Sequence, residues 1–202
     1  MKKLICFTFI CFSVNLFGQK NIEKNNFNRE ITKVKGDLNK DNINDFILVT
    51  QDTINEISPY KLEVFFGQPN GKYKLVVSTN QAIEPEFPDG KNVGYNSDSK
   101  SNFSEIIIKN GILSINIELI RGHFEHKFRF QNNNFELIGY TFGFSNGRGQ
   151  CYTTDFNLST GIRIEKNGHC DNDKIINNSK KKILIKPLPK LQDFKPNETD
   201  LY

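Results

Sequence analysis

Along LSINIEL, Leu113, Ile115, Ile117 and Leu119 are apolar, and the residues between them are small or polar. The same spacing returns at Leu62, Val64 and Phe66, at Tyr73, Leu75 and Val77, at Phe128 and Phe130, and at Ile162 and Ile164. Successive side chains of a strand point to opposite faces, so a period of two marks strands with one buried face. No stretch carries a convincing helical period. The class expected is all-β.

The breaks between these runs carry turn chemistry. Asn110-Gly111 joins two apolar runs, and both residues tolerate the positive φ of a two-residue hairpin turn. Pro69-Asn70-Gly71 and Asn132-Asn133-Asn134 divide other pairs of runs. Residues 103–142 thus predict a meander of four antiparallel strands. The whole chain reads as about ten mostly antiparallel strands in a meander or sandwich-like arrangement. Two stretches fall outside the pattern. Residues 80–102, with Pro85, Pro88, Gly90 and Gly94, read as a long loop of the kind that is often functional. Residues 186–202, with Pro187, Pro189 and Pro196, read as a weakly ordered C-terminal tail. No composition break divides residues 19–185, which are expected to form one domain.

The chain opens MKKLICFTFICFSVNLFGQK, two lysines before an apolar run and then small or polar residues. This is the layout of a secretory signal, with cleavage expected after Gly18, and the run is too short for a spanning helix. Residues 1–18 are therefore assigned to a signal peptide and the protein to the periplasm or the extracellular space. A lipoprotein anchor at Cys11 is disfavoured, because Phe9-Ile10 lack the small residues that such a site requires. Without Lys2 and Lys3, the 27 basic residues fall to 25 against 23 acidic ones, a net +2. That is no nucleic-acid footprint, and Lys180-Lys181-Lys182 reads as a solvated strand entry. Of four cysteines, Cys6 and Cys11 lie in the signal, leaving Cys151 and Cys170 for each other. Export favours a disulfide, worth about 3 kcal/mol for a loop of this length. A free thiol pair is the alternative. Zinc would need more partners than the neighbouring His169 supplies.

GDLNKDNINDFILV concentrates oxygen donors immediately before an apolar strand. Counting Asp37 as position 1, Asn39 is 3, Asp41 is 5, Ile43 is 7 and Asp45 is 9. Calcium takes 6–8 hard oxygen ligands, and alternating side chains with one carbonyl can wrap it at this spacing. Asn42 holds position 6, where a left-handed residue is needed. Leu48 at position 12 rules out an EF-hand closure. The alternative is a turn whose Asp and Asn residues bond only their own backbone.

This stretch resembles the Asp-rich loop of FG-GAP or VCBS-type repeats, the calcium-loop units of integrin-like propellers. The likeness continues through KLEVFFGQPNGKYKL and covers about 45 residues, from Lys35 to Val77. It implies side-chain ligands from Asp37, Asn39, Asp41 and Asp45, with Ile43 giving its carbonyl, and calcium as the cofactor. Only one unit is present and a propeller needs at least about four blades, so a full propeller is not expected. FRFQNNNFELIGYTF and DFNLSTGIRIEKNG also resemble a tail found in small exported bacterial proteins, a likeness that implies no activity.

Other constellations are weaker. Gly143-Phe144-Ser145-Asn146-Gly147 fits G-x-S-x-G, with Asp155 and His169 following, but poor helix formers come after it where a nucleophile elbow needs a helix. His123 and His126 would face opposite ways on a strand, and both read as strand-surface residues. Phe124, Phe128, Phe130 and Phe135 suit a ligand platform but at this spacing read as core. Glu84 and Glu86 receive no role. The expectation is a non-enzymatic exported β-domain with one calcium ion and a structural or binding role, its protein or glycan partner unidentified. The alternatives are an inhibitor or immunity-type protein acting on an envelope or surface enzyme through residues 80–102, and a serine hydrolase using Ser145.

Overall fold

The computed structural model describes residues 26–91, 103–172 and 174–196. The expected signal peptide, Gly94 with the rest of 92–102, and residues 197–202 lie outside them.

Among the described residues, eleven strands form two antiparallel meanders. The first sheet contains β1 (Phe27–Gly36), β2 (Asp45–Asp52), β3 (Tyr60–Gly67) and β4 (Tyr73–Thr79), in that order. The second contains β5 (Phe103–Lys109), β6 (Ile112–Leu119), β7 (Gly122–Gln131), β8 (Asn134–Ser145), β9 (Gln150–Asn157), β10 (Ile162–His169) and β11 (Ile175–Lys182), again in chain order. Neither sheet closes into a barrel. Among the described residues there is no α-helix, only a 3₁₀ turn at Leu191–Asp193. The all-antiparallel class and the four-strand meander across 103–142 are as the alternation predicts. Asn110 and Gly111 sit at φ 54° and 73°, and Asn132 and Asn133 at 51° and 57°, the left-handed values that short hairpin turns require.

The two sheets share one apolar core. Ile47, Val49, Leu62 and Val64 of the first sheet meet Leu113, Ile115, Phe128 and Leu137 of the second. Phe66 packs edge-on against Phe130, ring centres 4.9 Å apart, and lies 5.9 Å from Phe135. Phe128 and Phe135 are buried, and Phe124 and Phe130 pack against the cluster, so the four aromatics read as core belong to it.

Two expectations are corrected here. The segment 186–196 is no loose tail: Leu188, Leu191 and Phe194 are buried in the core, and Leu137 donates its amide to the Pro189 carbonyl at 2.8 Å. His126 is no surface residue. It is 1% exposed, among Phe124, Tyr140 and Phe194. His123, three positions earlier, is exposed, as opposite facing requires.

Candidate calcium site

Residues 37–44 link β1 to β2, and the ladder closes below them with Gly36 opposite Asp45. Leu38 turns inward and is buried, which fixes the loop to the core and leaves Asp37 and Asn39 half-buried and Asp41 exposed. Lys40 and Asn42 both sit at φ 65°. The left-handed bend at Asn42 falls at the position that the sequence marks for it. The one at Lys40 has no sequence signal.

Short polar side chains organise the loop through its own amides. The Asp37 carboxylate accepts the Lys40 amide on Oδ1 at 2.6 Å and the Asn42 amide on Oδ2 at 3.0 Å. Asn39 Oδ1 accepts the Asp41 amide at 3.1 Å, and its Nδ2 donates to Asp41 Oδ2 at 2.9 Å. Asp41 Oδ1 accepts the Ile43 amide at 2.8 Å. The structure therefore joins Asn39 directly to Asp41 and turns Asp37 onto the loop's far amides. Among the described residues, no three His, Cys, Asp or Glu side chains gather as a metal-ligating group, and the three carboxylates of this loop are included in that statement.

Asp45 is different. It is fully buried, and its two oxygens accept the amides of Leu38 at 2.8 Å and Gly67 at 2.9 Å. One carboxylate thus pins the loop to β2 and to the end of β3. Gly67 must be glycine for this, because a Cβ there would lie 2.5 Å from the Asn44 carbonyl oxygen. Burial raises the Asp45 carboxyl above the usual aspartate range, the nearby charge of Asp41 adds to the rise, and the two amide bonds oppose it.

The donor set suits calcium: hard oxygens, three carboxylates, one amide and the Ile43 carbonyl. An oxygen that accepts one N–H keeps a further lone pair for a cation. The loop bonds use one N–H for each carboxylate oxygen of Asp37 and Asp41.

The other candidate constellations separate. Ser145 ends β8 and the chain turns into β9, so the helix of a nucleophile elbow is absent. Cys151 pairs with Ser145 in the ladder, and Asp155 stands four residues further along β9, about 13 Å away at strand rise. The Ser145 hydroxyl accepts the Gly147 amide at 3.3 Å and lies 3.6 Å from Cys170 Sγ. Cys151 and Cys170 are joined as a disulfide.

Part of the long loop is organised in a way the sequence does not signal. Ala82 and Ile83 are buried, and burial raises the Glu84 carboxyl above its ordinary range. Glu86, which the sequence leaves without a partner, accepts the Nε2 of buried Gln51 at 2.7 Å, and its amide donates to the Ser58 carbonyl at 3.2 Å. Lys91 Nζ donates to the Thr53 and Asn55 carbonyls. Residues 84–91 thus lie across the β2–β3 connection.

Fold and loop define an antiparallel two-sheet β-protein whose first hairpin carries an Asp- and Asn-rich turn. No family model, curated protein or solved structure matches the chain.

Proposed function

We propose that the protein is an exported calcium-binding β-domain with a structural or binding role. The observation that carries this reading is the oxygen series at Asp37, Asn39, Asp41, Ile43 and Asp45 on a loop held by the buried carboxylate of Asp45. The lysine-then-apolar opening of the chain supports export, and an extracellular setting supplies calcium at the concentrations where modules of this kind bind, about 10⁻⁴–10⁻³ M. A cation here would offset the charge of three carboxylates within nine residues and stiffen the entry to β2. Asp37 and Asp41 would supply charge, Asn39 and the Ile43 carbonyl neutral oxygens, and Asp45 a charge already fixed in place.

Calorimetric titration with calcium tests this, paired with thermal unfolding. At tenfold over Kd, linkage gives about 1.4 kcal/mol of added stability. Asp41→Asn should weaken binding at least tenfold and leave the fold intact, because Asp41 is exposed. Absence of both heat and thermal shift at about 5 mM calcium, well above the range for extracellular modules, would sink the proposal.

A further inference from the structure

We propose that the free edge of β4 is a docking site for an extended, acidic-apolar segment of a partner protein, which adds as a fifth strand to the first sheet. This stands independently of the calcium reading. Among the described residues β4 pairs with β3 alone, so the backbone groups along its other side face outward. Beside that edge, at Lys74–Ser78, runs a cleft of about 660 Å³, within the roughly 300–1,000 Å³ usual for ligand sites. Phe66, Phe130 and Phe135 line it on the core side, and Asn134 and Gln192 on the far side. Five edge residues span about 17 Å, enough for a short strand.

Of the four edge strands, β1 and β5 lie beside each other, and the other two, β4 and β11, contrast. Edge strands invite pairing, and proteins blunt them with lysine and other polar residues. β11, IINNSKKK, is guarded in this way, and the cleft that its Asn177 and Ser179 help to line is walled mostly by polar side chains. β4, YKLVVST, has a single lysine, and the exposed side chains of Tyr73 and Leu75 lie on it. Main-chain pairing gives affinity in strand addition, and the flanking pockets select side chains. The residues lining the cleft carry one charge, Lys74, and no carboxylate. Charge complementarity therefore favours an acidic residue in the added strand, with apolar neighbours against the three phenylalanines. The β7–β8 turn and the 3₁₀ turn wall the far side. A second copy pairing through its own β4, YKLVVST, would bring another lysine and no carboxylate to this edge.

The probe is a capped seven-residue peptide alternating valine with glutamate, followed through the backbone amide resonances of the protein. We expect the resonances of Lys74–Ser78 to move and their solvent exchange to slow. A valine-lysine peptide should bind at least tenfold more weakly. A valine-glutamate peptide N-methylated at alternate amides should not bind, because it cannot form the ladder. Lys74→Glu, at an exposed position, should reverse the preference between the two charged peptides. Unmoved resonances at millimolar peptide, or equal binding of the N-methylated peptide, would overturn the proposal. So would light scattering that shows a dimer in which these same amides are shielded.

Discussion

At the scale of single residues, Asp45 joins loop to sheet. Removing its carboxylate in Asp45→Ala leaves the buried amides of Leu38 and Gly67 without an acceptor. Each such group costs about 1–3 kcal/mol, so we expect a loss of roughly 3 kcal/mol in urea unfolding, an effect that calcium should not restore. Protons would compete with a bound cation for this carboxylate. Its pKa is raised, so ionisation costs stability as pH rises through the folded value, and a bound cation would relieve that cost. Calcium affinity should then fall as pH is lowered through the folded value, as a series of titrations from neutral to acid pH would show. Spacing alone marks Asp45 in the sequence as an expected fourth side-chain ligand. Its second bond reaches Gly67, 22 residues away, and no local pattern announces that contact. His126 escapes for a related reason: alternation places it on the face of Phe124 and Phe128, yet histidine is only intermediate among residues in its tendency to be buried. Burial lowers its pKa from 6.5 to about 3. The unfolded chain therefore takes up a proton below pH 6.5 that the folded chain refuses. The stability from this residue is complete above pH 6.5 and is lost as pH falls toward 3. His126→Phe should flatten the acid limb of a stability–pH curve, and an unchanged limb would refute the assignment.

Elements were legible where pattern and turn chemistry agree. The β5–β6 hairpin is the clearest, since Asn110-Gly111 both ends the alternation and supplies the turn. Polar or irregular strands gave less. β1 carries two register shifts that break its alternation, and β11 is exposed along almost its whole length, so backbone pairing rather than burial holds it. The segment 186–196 escapes the pattern because its prolines disguise it. Leu188, Leu191 and Phe194 follow neither a period of two nor a helical stripe, and only the finished core gives them a place. Leu191 is fully buried, so Leu191→Ala should cost about 2–5 kcal/mol. A surface-like effect below about 0.5 kcal/mol in denaturant unfolding would restore the tail reading.

For the whole molecule, the unequal sheets matter. Seven strands face four, and the burial reflects it. β2, β3 and β6 to β8 supply most of the sealed core. β9 contributes Phe156, with Leu158 just beyond it, and β10 and β11 contribute no fully buried side chain. The outer strands are thus a wing with little apolar burial to hold it, and it is here that the chain places its disulfide. Cys151 opens β9, Cys170 follows the end of β10, and the Cys170 amide donates to the Gly149 carbonyl at 2.9 Å. The bridge closes both strands into one loop, for which the chain-entropy model gives about 3 kcal/mol. Because so little core lies beneath, that stabilisation should belong to the wing as a local unit. Reduction, or the paired change Cys151→Ser with Cys170→Ser, should speed hydrogen exchange across β9, β10 and β11 by a hundredfold or so, which is the rate equivalent of about 3 kcal/mol in opening. Amides of β2, β3 and β6 should keep their protection. A uniform loss of protection over both sheets would show instead that the wing and the core unfold together.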